Sequence, residues 1–435
     1  MSSSATTSAD APLLLRNKPP GKHTSVSGAV FNVSTTIIGA GIMSIPATLK
    51  VLGVIPAFLL IVIIAWLANI SVEFLMRYTH AGKSTTYAGL MKESFGRVGS
   101  FLVQLCVVMN NLGCLIIYLI IIGDVLSGNQ PQGSVHLGVL QEWFGVHWWN
   151  SRAFSILFIV VFIMLPLVLY RRVEALGFSS AIAVFLAVLF VAISSVMAIT
   201  ALFEGKTERP RLLPYLDNRA SFFELFTAVP VIVTAFTFHF NVHPIGLEMD
   251  KTSDMMKAVR ISLILCGAIY FTVGISGYLL FGESIMSDIL VNFDHNSGSA
   301  LGSVLNDIVR LSYALHLMLV FPLLNFSLRA NIDEFLFPSR PILAKDNVRF
   351  MSLTLTLLAI SYLAAIAIPN IWYFFQFMGS TSAVSLAFVF PGAIAFRDIH
   401  GISTSRDRII SAVMIILAAV TSIIAISTNI YSFTT

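Results

Sequence analysis

Long apolar runs alternate with short polar stretches along the whole chain. They fall at about 26–49, 53–76, 100–127, 153–170, 176–201, 221–243, 260–281, 304–328, 348–368, 371–395 and 408–430. A helix rises about 1.5 Å per residue, so roughly 20 residues cross the hydrocarbon of a bilayer. Backbone groups in lipid must find partners within the protein, which makes the helix the spanning form for such runs. The pattern therefore predicts an all-α polytopic membrane protein with about eleven transmembrane helices. The run at 153–170 is short, and only a turn at Pro369-Asn370 separates the ninth and tenth runs. The polar segment 78–99 is amphipathic and predicts a short helix on the membrane surface.

Two of the runs are interrupted. The first carries Thr35-Thr36-Ile37-Ile38-Gly39-Ala40-Gly41-Ile42-Met43-Ser44-Ile45-Pro46, and the sixth carries His239-Phe240-Asn241-Val242-His243-Pro244. A kinked structural helix is one explanation, because Gly and Pro are common in membrane helices. Gly/Pro-interrupted spans at matching places in two halves point instead to a transporter's substrate site. Pro46 and Pro244, taken to end the two breaks, lie 198 residues apart. This spacing divides the chain into five-helix units at 26–201 and 202–395, with an eleventh helix and C-terminus at 396–435. Five is odd, so the second unit enters the membrane from the opposite side, giving a 5+5 inverted repeat with broken helices one and six. At the first break, N–H groups of Gly39, Ala40, Gly41 and Ile42 could hold a carboxylate at a helix N-terminus. The two glycines leave room for close approach. Freed carbonyls near 37–40 and 236–241 could accept from an ammonium, so a zwitterionic amino acid would satisfy both sets.

Composition narrows the picture further. The chain has 435 residues, 57% hydrophobic and 11% charged, against about 25% charged in soluble domains. A net charge of +4 does not suggest nucleic acid as a partner. The basic residues set topology instead: with the N-terminus in the cytosol, 19 of the 26 Lys and Arg lie on the cytosolic side and 7 on the other. Residues 203–219 are the exception, placing Lys206, Arg209, Arg211 and Arg219 on the non-cytosolic side. Residues 1–25 form a polar cytosolic tail, expected to be disordered and without a cleavable signal. Asp10-Ala11-Pro12-Leu13-Leu14-Leu15 within it resembles an acidic dileucine sorting signal for vacuole or lysosome. Cys106, Cys114 and Cys266 all lie in apolar runs, which argues against a disulfide framework. Gly82-Lys83-Ser84 ends like a phosphate loop, but Arg77 stands where its first glycine belongs. No enzyme chemistry, cofactor or metal site is indicated.

Phe31-Asn32-Val33-Ser34 followed by Gly39 through Pro46 is similar to the first helix of the amino acid/auxin permease family. Val233-Thr234-Ala235-Phe236-Thr237-Phe238-His239-Phe240-Asn241-Val242-His243-Pro244-Ile245 resembles its sixth helix, and Arg310-Leu311 through Pro322 and Arg329 its eighth. Within the family the chain resembles the plant vacuolar amino acid transporter branch, beside the sodium-coupled neutral amino acid transporters of animals. This resemblance implies a LeuT-like fold and secondary transport of amino acids, with the lipid bilayer and an amino acid substrate as partners. Sodium-coupled members have Asn where this chain has Thr35, and hydroxyls midway along helix eight. Here no Ser or Thr lies between Ser312 and Ser327. A hard cation wants about six oxygens, so proton coupling is favoured over sodium.

The substrate-binding set is then Thr35, Ile38, Gly39, Ala40, Gly41, Ile42, Phe236, Phe238, His239 and Asn241, with His316 as the proton-coupling candidate. Histidine titrates near neutrality, and ionisable groups within spans are functional by default. Phe240 and Tyr313 are expected in the pocket wall, or in simple packing. His239 and Asn241 either line the pocket or brace unwound backbone. Arg310 is a gate or an interfacial anchor. The expected function is a proton-coupled carrier of neutral amino acids in the tonoplast or another endomembrane, exporting from vacuole to cytosol. A sensor with little transport, a channel and a sodium-coupled symporter are the alternatives.

Overall fold

A computed structural model describes residues 25–128, 136–170, 177–216, 219–246, 249, 252–294, 300–337, 343–368 and 370–434. The tail with its sorting motif, Arg171, Arg172, Lys251 and Pro369 lie outside the described residues. The described elements are all helical. In chain order they are α1 (Val26–Ile37), α2 (Gly41–Leu52), α3 (Val54–Ala81), α4 (Tyr87–Ser127), α5 (Val139–Phe144), α6 (Arg152–Ile159), α7 (Leu165–Val168) and α8 (Gly177–Phe203). There follow α9 (Arg219–Ala235), α10 (Val242–Gly246), α11 (Thr252–Phe281), α12 (Ala300–Leu336), α13 (Asn347–Ala367), α14 (Ile371–Met378), α15 (Phe390–Arg397) and α16 (Ser405–Thr434).

Among the described residues nine helices are long and apolar enough to cross a membrane, or ten with α1 and α2 taken as one span bent by 63°. The run expected at 153–170 forms the shorter apolar stretch Arg152–Val168, which falls below that length. Within the amphipathic segment, residues 87–95 form a short helix at the start of α4, and Gly96, at φ 69°, kinks the chain into the following span. A residue with a side chain would be strained there. Peripheral α16 shows why so many apolar residues are exposed. It buries Met414, Ala418 and Ala425 and leaves Ile409, Val413, Ile416, Leu417 and Ile423 open. Lipid tails are as apolar as leucine, so that outer stripe carries no penalty in a bilayer.

The charge exception at 203–219 has a structural reason. Arg211 pairs with Glu283 (2.7 Å) and donates to the Lys50 carbonyl (2.7 Å). Its own carbonyl accepts from the N–H of Val54 (2.9 Å). The loop thus clamps the α2–α3 corner, and its most tightly held cation is neutralised by an acid rather than left to bias topology.

A second clamp lies at the other end of α3. Asp398, in the left-handed region at φ 50°, accepts from the Tyr78 hydroxyl (2.5 Å) and from Arg408 (3.0 Å). Burial works against its charge. Hydrogen bonds from Tyr78, Arg408 and the N–H groups of Ser403 and Ile402 outweigh that and hold the carboxyl at about 2. A depressed carboxyl contributes stability above its ordinary pKa and loses it as pH falls from about 4 to 2. Asp398→Asn should therefore destabilise the protein by about 2 kcal/mol. A thermal midpoint lowered equally at every pH from 5 to 8 is the expected measurement.

Candidate functional site

The break in the first span lies between Ile37 and Gly41. α1 ends as Ile38 turns to extended backbone at φ −74°, ψ 98°. α2 restarts at Gly41, so Pro46 lies inside α2 rather than ending the break as its position in the sequence suggested. Among the described residues, no protein atom accepts from the N–H groups of Gly39, Ala40 and Gly41. Ile42 and Met43 already bond back to Gly39 and Ala40, at 3.4 and 3.1 Å. Three consecutive N–H groups thus stand free at the N-terminus of a buried half-helix, where the helix dipole favours an anion.

The second break precedes Pro244. α9 ends at Ala235, Phe238 is non-helical at φ −126°, ψ 5°, and a 3-10 turn at His239–Asn241 leads into α10. The two breaks are packed together. A Cβ on Gly41 would lie 2.7 Å from the Cβ of Ala235. Asn241 Nδ2 reaches Thr36 Oγ1 at 3.4 Å.

The carbonyls expected to receive an ammonium are partly occupied, which corrects the sequence expectation. The Tyr270 hydroxyl lies 2.6 Å from the Ile37 oxygen and 2.9 Å from the Ala235 oxygen. The Tyr313 hydroxyl donates to the Gly39 oxygen at 2.7 Å. A phenol carries one proton, so Tyr270 fully serves only one of its two carbonyls at a time. The Ile38, Phe236 and Thr237 oxygens accept nothing among the described residues. Acceptors for an ammonium therefore remain at 38 and 236–237, while the Phe238 and His239 oxygens accept from Asn241 and Val242, so the sites expected throughout 37–40 and 236–241 are fewer.

The other predicted residues fall into two groups. Ala40, Ile42 and Phe236 are buried around the break, with Ile38 half-buried beside them. Phe236 sets its ring edge-on to Tyr270 at 5.1 Å. Thr35, in contrast, turns its hydroxyl to the Phe31 oxygen of its own helix at 2.7 Å, so it is not brought to the break. Phe238 is fully buried against His239. His239 pairs with Ser71 Oγ of α3 at 2.7 Å, and His243 with Thr79 Oγ1 at 2.8 Å. These histidines brace the unwound segment against α3. His316 Nδ1 lies 2.7 Å from the Ala183 oxygen of α8, and its Nε2 is buried without a partner. Its ring sits 4.8 Å from that of Tyr313, the residue that caps Gly39.

Sequence reasoning passed over Tyr270 and Tyr118. Tyr118 Oη stands 2.8 Å from where a Cβ on Gly39 would be. The available signal was weak: a lone hydroxyl inside an apolar run must find a partner. Arg310 proves to be a buried tie. It pairs with Glu142 of α5 at 2.5 Å and donates to the Leu137 oxygen at 2.5 Å.

The family described as transmembrane amino acid transporter protein matches residues 22–433. Amino acid transporter AVT6C of Arabidopsis thaliana is 66% identical over 97% of this chain and 97% of its own. Amino acid transporter AVT6A of the same plant is 48% identical over 94% and 89%. The putative sodium-coupled neutral amino acid transporter 10 of Xenopus laevis is 25% identical over 90% of this chain and 36% of its own length. The crystal structure of MhsT in complex with L-phenylalanine superposes with a TM-score of 0.58 at 12% identity, over 94% of this chain and 100% of that one. That likeness carries the LeuT-like architecture that the family resemblance implied.

Proposed function

This chain belongs to the transmembrane amino acid transporter family and is an amino acid transporter; we propose that it is a proton-coupled carrier of neutral amino acids, moving them from vacuole to cytosol. The observation that carries this reading is the set of three free N–H groups at Gly39–Gly41 beside free carbonyls at Ile38, Phe236 and Thr237. A zwitterion presents a carboxylate to the first and an ammonium to the second. Neither break contains Asp, Glu, Lys or Arg, and the histidines of the second are bonded to hydroxyls of α3. A neutral substrate side chain fits such surroundings, because an unpaired charge there would be costly.

Proton coupling is supported by what a sodium ion would lack. No Ser or Thr lies between Ser312 and Ser327 to give a cation hydroxyl oxygens midway along α12. His316 offers an alternative: its bond to the Ala183 oxygen leaves Nε2 as a buried acceptor for a transported proton. The vacuolar membrane and the cytosolic N-terminus rest on the dileucine-like motif and the 19 to 7 distribution of Lys and Arg. The Xenopus relative's description as sodium-coupled favours the second reading, a sodium symporter.

Purified protein in proteoliposomes tests these readings together. An imposed pH gradient should drive labelled neutral amino acids uphill, without sodium, and a protonophore should abolish accumulation. Accumulation only on a sodium gradient would reverse the assignment of the coupling ion. Binding without flux would identify a sensor, and flux without counterflow a channel.

A further inference from the structure

Between α11 and α12 the chain forms a buried loop of two 3-10 turns, Gly282–Ser284 and Ile289–Asp294. It is seated on α2, the half-helix that begins at the substrate-site break. Ser44 Oγ donates to the Ser287 oxygen at 2.6 Å, and Lys50 Nζ to the Ile285 oxygen at 3.3 Å. Asn292 holds the loop in shape, accepting from the N–H of Met286 and donating to the Ser284 oxygen. The loop is thus anchored on the half-helix that starts at the break between Ile37 and Gly41.

At its centre lies Asp288, 3% exposed. Its Oδ1 accepts from the N–H of Leu290 at 3.0 Å, and its Oδ2 has no partner. Two guanidinium groups act on it, Arg310 of α12 and Arg152 of α6. Each already has a carboxylate: Arg310 pairs with Glu142 of α5, and Arg152 with Asp124 of α4. Three buried or half-buried carboxylates therefore share two arginines, and Asp288 is the one left over. The remaining charged and titratable groups nearby are committed elsewhere. Lys50 on α2 reaches a carbonyl, Tyr313 on α12 caps Gly39, Glu283 pairs with Arg211, and Asp294 pairs with His136.

We propose that this loop is a lid over one end of the transport path and that Asp288 is its proton-binding site, filled from the compartment the loop faces whenever the lid closes. A neutral carboxyl removes the surplus negative charge from this buried cluster. Burial, opposed only in part by Leu290 and the arginines, pushes the carboxyl up to about 7. With the lid open and the group hydrated, it returns to the ordinary range near 4. Closure then takes up a proton between about pH 4 and 7, and each unit of rising pH in that window disfavours it by up to about tenfold. This deepens the proposed proton dependence, but does not require that this proton itself cross the membrane.

The test is exchange of labelled for unlabelled amino acid in proteoliposomes at equal pH on both sides, from pH 5 to 8. Wild-type exchange is expected to slow at least tenfold across that range. Asp288→Asn should exchange at the acid rate throughout, and Asp288→Glu should slow again with a shifted midpoint. A wild-type profile in Asp288→Asn overturns the proposal. Hydrogen exchange of residues 282–294 in the unmodified protein gives a readout independent of any variant. After correction for intrinsic rates, the lid should be better protected at pH 5.5 than at pH 8, and equal protection also overturns it. Failure of the coupling reading looks different: no uphill accumulation on a pH gradient, with the Asp288-dependent exchange profile intact.

Discussion

Gly41→Val is expected to lower amino acid uptake by about a hundredfold or more while leaving a folded, monodisperse protein. A Cβ at position 41 would stand 2.7 Å from the Cβ of Ala235 and 2.8 Å from its Cα. Carbon atoms rest at about 3.5–4.0 Å, and a backbone carbon cannot rotate out of the way as a side chain does. α2 must therefore shift away from α9, at a cost of about 1–3 kcal/mol in overpacking. The larger loss is functional. The three N–H groups ride on the displaced half-helix, and a misplacement of about 1 Å in a positioning group can cost on the order of a hundredfold. Ala235→Gly should rescue Gly41→Ala only in part, because the clash with the backbone of residue 235 remains. Uptake by Gly41→Val equal to wild type would remove the carboxylate assignment.

Tyr270→Phe should be the next most damaging change at the site, lowering stability by about 2–3 kcal/mol and uptake at least tenfold. Its hydroxyl is shared between the Ile37 and Ala235 oxygens, one from each broken span. Removing it orphans acceptors at both breaks and loosens α11 from each. Tyr313→Phe frees only the Gly39 oxygen, so its effect should be smaller in both measurements. Thermal midpoints in detergent, read beside initial uptake rates, rank the two. A Tyr270→Phe protein as stable as wild type would mean that water or another donor already serves those carbonyls.

The likeness to the solved transporter and the packing of the two breaks rest on features that a linear pattern carries well. Hydropathy is local: a run of apolar residues crosses lipid wherever it falls, so the long spans were legible along the chain. The breaks were legible for the same reason. Gly39 and Gly41 weaken a helix within a few residues of themselves, and a membrane tolerates that only where the backbone meets protein, water or ligand. Even so, the restart of α2 came five residues before Pro46. Pro46 is the sixth residue of α2, so it forgoes the usual bond to the Ile42 carbonyl inside the helix rather than marking its start.

The fate of the freed backbone groups was beyond any linear pattern. Tyr270 is 233 residues from Ile37, and Tyr313 is 274 from Gly39. Whether a phenol reaches a carbonyl depends on the rotation and depth of its helix against a distant one. Thr35 and Thr36 illustrate this over one step of sequence: one hydroxyl turns only to its own helix, while the next also meets Asn241 from the other break. Charges behaved likewise. Arg310, Arg152, Glu142, Asp124 and Asp288 lie on five separate segments, and their surplus of one carboxylate exists only once packing has excluded the water that would otherwise solvate each. Local chemistry along the chain announced where the helices would open, and long-range packing chose which of the exposed groups would be left for a substrate.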